Sequence, residues 1–406
     1  MGSFKRIFPV LTVLFLGYLG YSLVLPLFPP MFLTTKFSFL PPSTTIGMRK
    51  ILLGVLFAMY PMGQFLGAPL LGKLSDKYGR RPILLLSLLL VIPTYIGSAL
   101  SVSYTLPLFL YLSRFFSGLL EGNIVIAQAA IADISENTHT KAKNFGWLVS
   151  LGSTAFFFGP LIGGKLADPK IVSWFDYPIP FWGAAALTLI GFFIVYKMFR
   201  ETHIPNREIE LSFKTITGTF IKGLKIKKLR VLYSANFILF TGIFFFLNFF
   251  SAYLVDRFRF SVSTLGEVNS YLSIPFIISP FFFGVFSKWW TSRQAMRFGA
   301  LFLCISLLVF VIPTSPWALL LTLLPIGFFM AMGFAFPAIM VSDTASEHAQ
   351  GEALGTNQSL QVLAEGGTAL IGGVIMTQGN NYPIYAAAFF TAFAGLILFI
   401  RNPSVD

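Results

Sequence analysis

Arg114 and Glu121 lie seven residues apart within a long apolar run, in Arg114-Phe-Phe-Ser-Gly-Leu-Leu-Glu-Gly-Asn123. In a helix seven residues make nearly two turns, so both side chains share a face, and Glu121 leans back toward the arginine. The expected depth of Arg114 is roughly ten residues, about 15 Å, from the helix end, and the axial gap to Glu121 is about 10 Å, room for water or a solute. Charges at that depth are costly and normally face a cavity or a partner. Such a pair could bind and release a proton, or could simply hold its helix to a neighbour. Glu365, beside Gly366-Gly367, is the second candidate. A carboxyl there can exchange a proton as a cavity opens and closes, or stay protonated and bond a neighbouring helix.

A second constellation is Gly72-Lys-Leu-Ser-Asp-Lys-Tyr-Gly-Arg-Arg-Pro82. Gly72 and Gly79 permit a tight, close-packed turn. Asp76 stands four residues ahead of Arg80, the spacing of a charge-assisted clasp, with Arg81 beside it. A third is Gly152-Ser-Thr-Ala-Phe-Phe-Phe-Gly159-Pro160-Leu-Ile-Gly163-Gly164, in which small residues let backbones approach and Pro160 bends the helix. Gln64, Asn123, Gln128, Asn236, Asn248, Gln358 and Gln361 are uncharged polar residues at similar depth, suited either to lining a cavity or to interhelical hydrogen bonding. Tyr18, Tyr21 and the phenylalanines of the seventh helix could add an apolar wall. Most of the aromatic excess, including Phe244-Phe-Phe-Leu-Asn-Phe-Phe250, is expected to face lipid.

The elements that must position these residues follow from composition. Of 406 residues, 55% are hydrophobic and 11% charged, against about 25% charged in a soluble domain, so the chain is an all-α integral membrane protein. A span needs about 20 apolar residues, and the length accommodates roughly a dozen with no room for a large soluble catalytic module. Spans are expected at 1–33 and at about 51–71, 82–101, 105–132, 144–166, 179–199, 231–254, 266–288, 294–313, 317–341, 351–376 and 382–400. These runs are too long for the strands of a membrane barrel. Twelve helices in two dissimilar halves offer no symmetric selectivity ring, which disfavours a channel. The lone Cys304 excludes an intramolecular disulfide, no cysteine cluster offers a metal site, and His139, His203 and His348 sit in polar connectors, so no enzyme site is expected.

The net charge of +13 is read as topology rather than nucleic-acid binding. The richer basic connectors, including Lys73, Lys77, Arg80 and Arg81, fall on the side of both termini, which is expected to be cytoplasmic. The long basic stretch between the sixth and seventh spans divides the chain into 1–200, a linker 201–230 and 231–406. Part of that linker, from Leu211, could lie on the membrane face as an amphipathic helix, or be a solvated connector. An internal repeat matches Asp133, Gly146, Ser150-Leu151 and Gly163-Gly164 to Asp343, Gly355, Ser359-Leu360 and Gly372-Gly373, with equal offsets from each glycine onward.

Gly72, Leu74, Asp76, Gly79, Arg80 and Arg81 resemble motif A of the major facilitator superfamily. Arg114, Gly118 and Gly122 resemble its motif B, and Gly152 to Gly164 its motif C. With Pro26, Pro29 and Gln64-Phe-Leu-Gly-Ala-Pro69, the chain resembles the twelve-helix tetracycline-efflux and multidrug group. The resemblance implies the major facilitator fold, two pseudo-symmetric six-helix bundles related by an axis normal to the membrane. It implies a latch in which Asp76 and Arg80 join Asp133, and proton coupling at motif B. Motif C implies export by antiport rather than import, and a proton-coupled or facilitated importer of a metabolite, nutrient or siderophore is the alternative. The corresponding second-half loop keeps Gly284 and Ser287 but carries Lys288 in place of the acid, so a second latch is not expected. Helix 1 lacks the acid that several related exporters carry, and Glu121 is expected to substitute. No cofactor or metal is expected, the proton gradient being the driving force. The expected partners are a small-molecule substrate, protons and lipid, for a monomer in a bacterial inner membrane.

Overall fold

A computed structural model describes residues 2–34, 39–135, 138–208, 223–286, 289–346 and 349–400. Every regular element among the described residues is helical, as befits a chain whose backbone groups find no partner in lipid. In order these are α1 (Gly2–Leu23), a 3₁₀ turn (Leu25–Leu27), α2 (Phe28–Leu33), α3 (Ile46–Tyr78), α4 (Arg80–Ser103), α5 (Pro107–Glu121), α6 (Ile124–Ile134), α7 (Thr138–Leu166) and α8 (Ile179–Met198). A second 3₁₀ turn (Lys227–Leu229) then leads into α9 (Arg230–Phe258), α10 (Val262–Phe286), α11 (Ser292–Phe310), α12 (Pro316–Thr344), α13 (Gln350–Gln378) and α14 (Tyr382–Ile400).

Eleven helical stretches among the described residues are long and apolar enough to cross a membrane, and α10, at 25 residues, takes the place of the eighth expected span. Three expectations are modified. The first span is broken where Pro26, Pro29 and Pro30 remove amide donors, giving α1, a 3₁₀ turn and α2. The fourth is not one helix but α5 and α6, parted at Gly122 and Asn123. The second runs past residue 71 to Tyr78, so most of the expected turn is helical and Gly79 alone reverses the chain. Residues 209–222, most of the expected amphipathic segment, lie outside the described residues, as do 287–288 of the second-half loop.

Contacts divide the chain into two compact units. The first comprises Met1–Thr44, Met59–Ile216 and Ser261–Ser270; the second comprises Thr45–Ala58, Thr217–Phe260 and Tyr271–Asp406. The first has its apolar core where Val10 and Leu14 of α1, Leu84 and Leu88 of α4, Ala127 and Ile131 of α6 and Val195 of α8 meet. In the second, Phe240 and Phe244 of α9 pack on Ala364 of α13 and Phe334 of α12. Phe244, Phe245, Phe246, Phe249 and Phe250 are each at most 6% exposed, which corrects the expectation that this aromatic run faces lipid. Its rings interlock instead: Phe245 stacks on Phe390 at 5.6 Å, and Phe310 meets Phe246 edge-on at 5.2 Å.

The repeated glycine pairs do equivalent work in each unit. A Cβ on Gly163 would overlap the carbonyl oxygen of Leu23 on α1, and one on Gly164 would lie 3.0 Å from Gly266 Cα on α10. Correspondingly, a Cβ on Gly372 would overlap the Phe249 ring on α9, and one on Gly373 would lie 3.0 Å from Gly54 Cα on α3. The Gly164–Gly266 and Gly373–Gly54 approaches bring backbone against backbone with glycine on both partners.

Candidate functional site

α5 is buried on its polar side. Ser113, Arg114, Ser117, Gly118 and Glu121 are buried at helical spacing, whereas Leu108, Phe109, Leu112 and Phe116 are exposed. That inversion is the pattern of a membrane helix with its polar stripe toward protein and its bulk toward lipid. α5 is locked to α3 by two glycine pairs of matching spacing, Gly63 with Gly67 and Gly118 with Gly122. A Cβ on Gly63 would overlap Phe115 O, one on Gly67 would overlap Leu119 O, and one on Gly122 would lie 2.5 Å from Ala68 N.

This packing brings Tyr60 of α3 to Glu121. The Tyr60 hydroxyl donates to Glu121 Oε2 at 2.6 Å, and the Tyr95 hydroxyl of α4 donates to Oε1 at 2.8 Å. Glu121 is 6% exposed and Arg114 1%. The Arg114 guanidinium lies 5.0 Å from the Tyr60 ring centroid, 5.8 Å from Tyr95 and 5.9 Å from both Tyr21 and Phe28. Aromatic faces attract a cation, and here they occupy the interval that the sequence left open to water or solute. Arg114 Nη1 is buried without a hydrogen-bond partner. A carboxylate taking two phenolic donors is an acceptor at both oxygens, the arrangement of its ionised form. Protonation on a remaining lone pair would weaken both bonds from charge-assisted to neutral.

Beside Glu121 lies a cavity within the first unit, bordered by Tyr18, Tyr60, Leu88, Asn123 and Thr188, with about 30 Å³ open to water centres. Holding one water takes ~10–15 Å³ by that measure. Asn123, at the break in the fourth span, donates to Ser87 Oγ at 3.1 Å. Tyr21 stacks on Tyr60 at 4.3 Å, and Tyr18 packs on Phe156 at 6.1 Å. Gln64 and Gln128 are half-buried on α3 and α6.

At the Tyr78 end of α3, the expected ion cluster is assembled. Arg80 Nη1 lies 2.5 Å from Asp76 Oδ1 and donates to Ser75 Oγ at 2.7 Å, while its Nε donates to Asp133 Oδ2 at 3.2 Å. Gly79 reverses the chain at φ 104°, and a Cβ there would also lie 2.6 Å from Glu201 Oε2. Glu201, just past α8, caps α4: it accepts from the Arg80 and Arg81 amides at 2.9 and 3.0 Å, and from Thr202 and His203 at 2.9 and 3.0 Å. Burial would raise its proton affinity, but these donations, from the His203, Arg81, Arg80 and Thr202 amides, hold its carboxyl below the usual range. Arg81 donates onward to Tyr196 O at 2.8 Å.

On α7, Gly152 meets the Tyr18 ring at ordinary distance, whereas a Cβ on Gly159 would overlap Ser22 Oγ. The Ser22 hydroxyl itself donates to Ala155 O at 3.1 Å. Pro160 leaves its carbonyl against Gly266 of α10. In the second unit, Asn236 is fully buried and donates to Asn357 Oδ1 at 2.7 Å. Asn248 donates at 3.2 Å to both Glu365 O and Thr368 Oγ1, so both asparagines join α9 to α13. Glu365 and Gln361 are half-buried and Gln358 is exposed. The structure thus brings Arg114 and Glu121 together with Tyr21, and Asp76 with Arg80 and Asp133. Glu365 belongs to the second unit.

Tyr60, Tyr95, Ser75 and Glu201 were missed from sequence. The two four-residue glycine spacings, Gly63 to Gly67 and Gly118 to Gly122, were a legible sign that α3 and α5 touch. Nothing in the sequence tied Glu201 to a turn 121 residues earlier.

Apolar helices in this number, packed through glycines around buried charges, define a polytopic membrane protein. The profile described as Major Facilitator Superfamily matches residues 10–366 and 232–406, and the chain belongs to that superfamily of membrane transporters. Quinolone resistance protein NorA of Staphylococcus aureus (strain MSSA476) is 26% identical over 400 residues, covering 97% of this chain and 95% of the relative. Tetracycline resistance protein, class B, of Escherichia coli is 34% identical over 217 residues, covering 53% and 49%. The crystal structure of the human organic anion transporter MFSD10 superposes with TM-score 0.74 at 20% identity, covering 98% of this chain and 100% of that one. That of a D-xylose–proton symporter gives 0.76 at 15%, covering 98% and 97%. Both show the shared fold.

Proposed function

We propose that this transporter is a proton-coupled antiporter that exports a small amphiphilic molecule by alternating access, the halves 1–200 and 231–406 rocking about a central cavity while 201–230 links them. The observation that carries the reading is Glu121: a buried carboxylate held by two phenols beside an arginine whose Nη1 has no partner. Protonation cancels the charge that offsets Arg114, and a change of that size in a low-dielectric site can bias two conformations. Glu365 is the second proton candidate.

The resistance functions named for the relatives support export of drug-like compounds. Asp76, Arg80 and Asp133 act as the latch of one conformation, and the Gly152–Gly164 stretch of α7 as a close-packed sliding surface. Tyr18, Tyr21, Gln64, Asn123 and Gln128 contribute to the substrate path, and the gradient alone drives the cycle, without a resident cofactor. The protein works as a monomer in a bacterial cytoplasmic membrane with both termini inside, in keeping with its basic connectors.

The test is direction. Inside-out vesicles with an acid interior are offered cationic, zwitterionic and anionic amphiphiles. Antiport predicts accumulation that collapses with the gradient. Accumulation only in right-side-out vesicles with an acid exterior would replace it with proton symport.

A further inference from the structure

α3 connects three features. Its first residues, up to Ala58, cluster with the second unit, and from Met59 onward it clusters with the first. Near the Ile46 end, Lys50, 9% exposed, donates to Met376 O in the last turn of α13 at 3.2 Å, a cation on a helix C-terminus. Gly54 backs onto Gly373 one turn further. At the other end are Asp76 and Arg80. Between them, two residues past the change of unit, stands Tyr60, followed by Pro61, which brings no amide to the helical ladder and marks a natural point of bending.

We propose that Tyr60 is the positioning residue that transmits the protonation state of Glu121 to α3, so that proton binding bends α3 near Pro61 and changes how its Ile46 end sits on α13. This inference rests on Glu121 being the proton site. The titratable and charged groups around Glu121 are Tyr18 and Tyr21 from α1, Tyr60 from α3, Tyr95 from α4 and Arg114 from its own helix; α6 and α8 bring the uncharged neighbourhood of Asn123 and Thr188. Of the two tyrosines that donate to Glu121, Tyr95 sits on α4, wholly inside the first unit, and Tyr60 on α3, whose residues up to Ala58 cluster with the second unit. A hydrogen bond to an ionised carboxylate is roughly twice as strong as a neutral one. Protonation therefore loosens both, but only the loosening of Tyr60 reaches α3. The Tyr60 ring is also held by its stack on Tyr21 of α1, and its carbonyl lies against Gly118 of α5, so a change at its hydroxyl is passed to the α3 backbone more readily than it is absorbed by free rotation of the ring.

The experiment places one reporter cysteine at Gly47, where an added Cβ has Thr377 Cγ2 of α13 as its nearest neighbour at 4.0 Å, in a Cys304→Ser background. Alkylation by a soluble maleimide is timed in nanodiscs from about pH 5 to about pH 9. The parent is expected to change rate at least about fivefold across that range. Glu121→Gln should abolish the response. Tyr60→Phe, which keeps the ring and its stacking, should flatten it below about twofold. Tyr95→Phe should keep the full amplitude with the midpoint displaced by about one unit or more, the effect of one lost charge-assisted bond. The double variant Tyr60→Phe/Glu121→Gln should match Glu121→Gln alone, a non-additivity that a merely destabilising substitution would not give. If Glu121→Gln abolishes the response while Tyr60→Phe behaves like Tyr95→Phe, the role of Tyr60 is overturned and the proton site stands. If Glu121→Gln retains the response, or the parent shows none, both fail.

Discussion

The backbones of Gly118 and Tyr60 touch: a Cβ on the glycine would fall onto the Tyr60 carbonyl oxygen. The glycine therefore sets the distance between α3 and α5, and with it the reach of the Tyr60 hydroxyl to Glu121. Gly118→Ala is expected to cost about 1–3 kcal/mol through overpacking and to impair transport more than expression. Gly355→Ala, in a helix with nothing within 4 Å of the added carbon, should be neutral or gain about 0.5–1 kcal/mol. Thermal unfolding of both in detergent, with transport assayed in parallel, checks the contrast.

Arg80 is 7% exposed and shared by two acids, so removing either leaves part of its charge unmatched. Asp133→Asn is expected to weaken the clasp by about 1.5–3 kcal/mol at most and to slow transport roughly tenfold. Asp133→Glu should recover part of the rate. Transport by Asp133→Asn at the unmodified rate would remove Asp133 from the latch.

Glu201 supplies a pH signature. Its folded-state proton affinity lies below the ordinary value of 4.5, so its contribution is complete above that value and is lost as pH falls through the lower folded value. Unfolding temperature should therefore drop on the acid side of pH 4.5, and Glu201→Gln should flatten that limb while lowering stability near neutrality. The pH dependence of thermal unfolding for the two proteins decides it.

Asn236 and Asn357 form a buried amide pair between α9 and α13. Asn236→Leu leaves the Asn357 amide without its partner and is expected to cost about 0.6–1.7 kcal/mol. Replacing both by leucine should restore most of it, because no polar group is then left unpaired. A double-mutant cycle on unfolding measures the coupling, and strict additivity would show that the pair contributes nothing.

The order and type of the helices were legible because lipid imposes one secondary structure and a minimum length, and the runs obey both. Arg114 with Glu121, and Asp76 with Arg80, were legible because they are neighbours on one helix or across one turn. The break at Gly122 and Asn123 was not, since the apolar run continues through it. Nor was the burial of Phe244 to Phe250: lipid and protein interior are equally apolar, and composition cannot tell which one a phenylalanine faces. Tyr60 and Tyr95 became site residues only through packing between helices distant in sequence.

The most direct test follows protons. Purified protein is reconstituted with a trapped pH-sensitive dye under an imposed gradient, and amphiphiles are added to wild type, Glu121→Gln and Glu365→Gln. The account predicts substrate-triggered proton movement in wild type, its loss in Glu121→Gln, and substrate binding retained in that variant. Proton movement undiminished in Glu121→Gln, or gradient-independent substrate uptake with no proton movement in wild type, would contradict it.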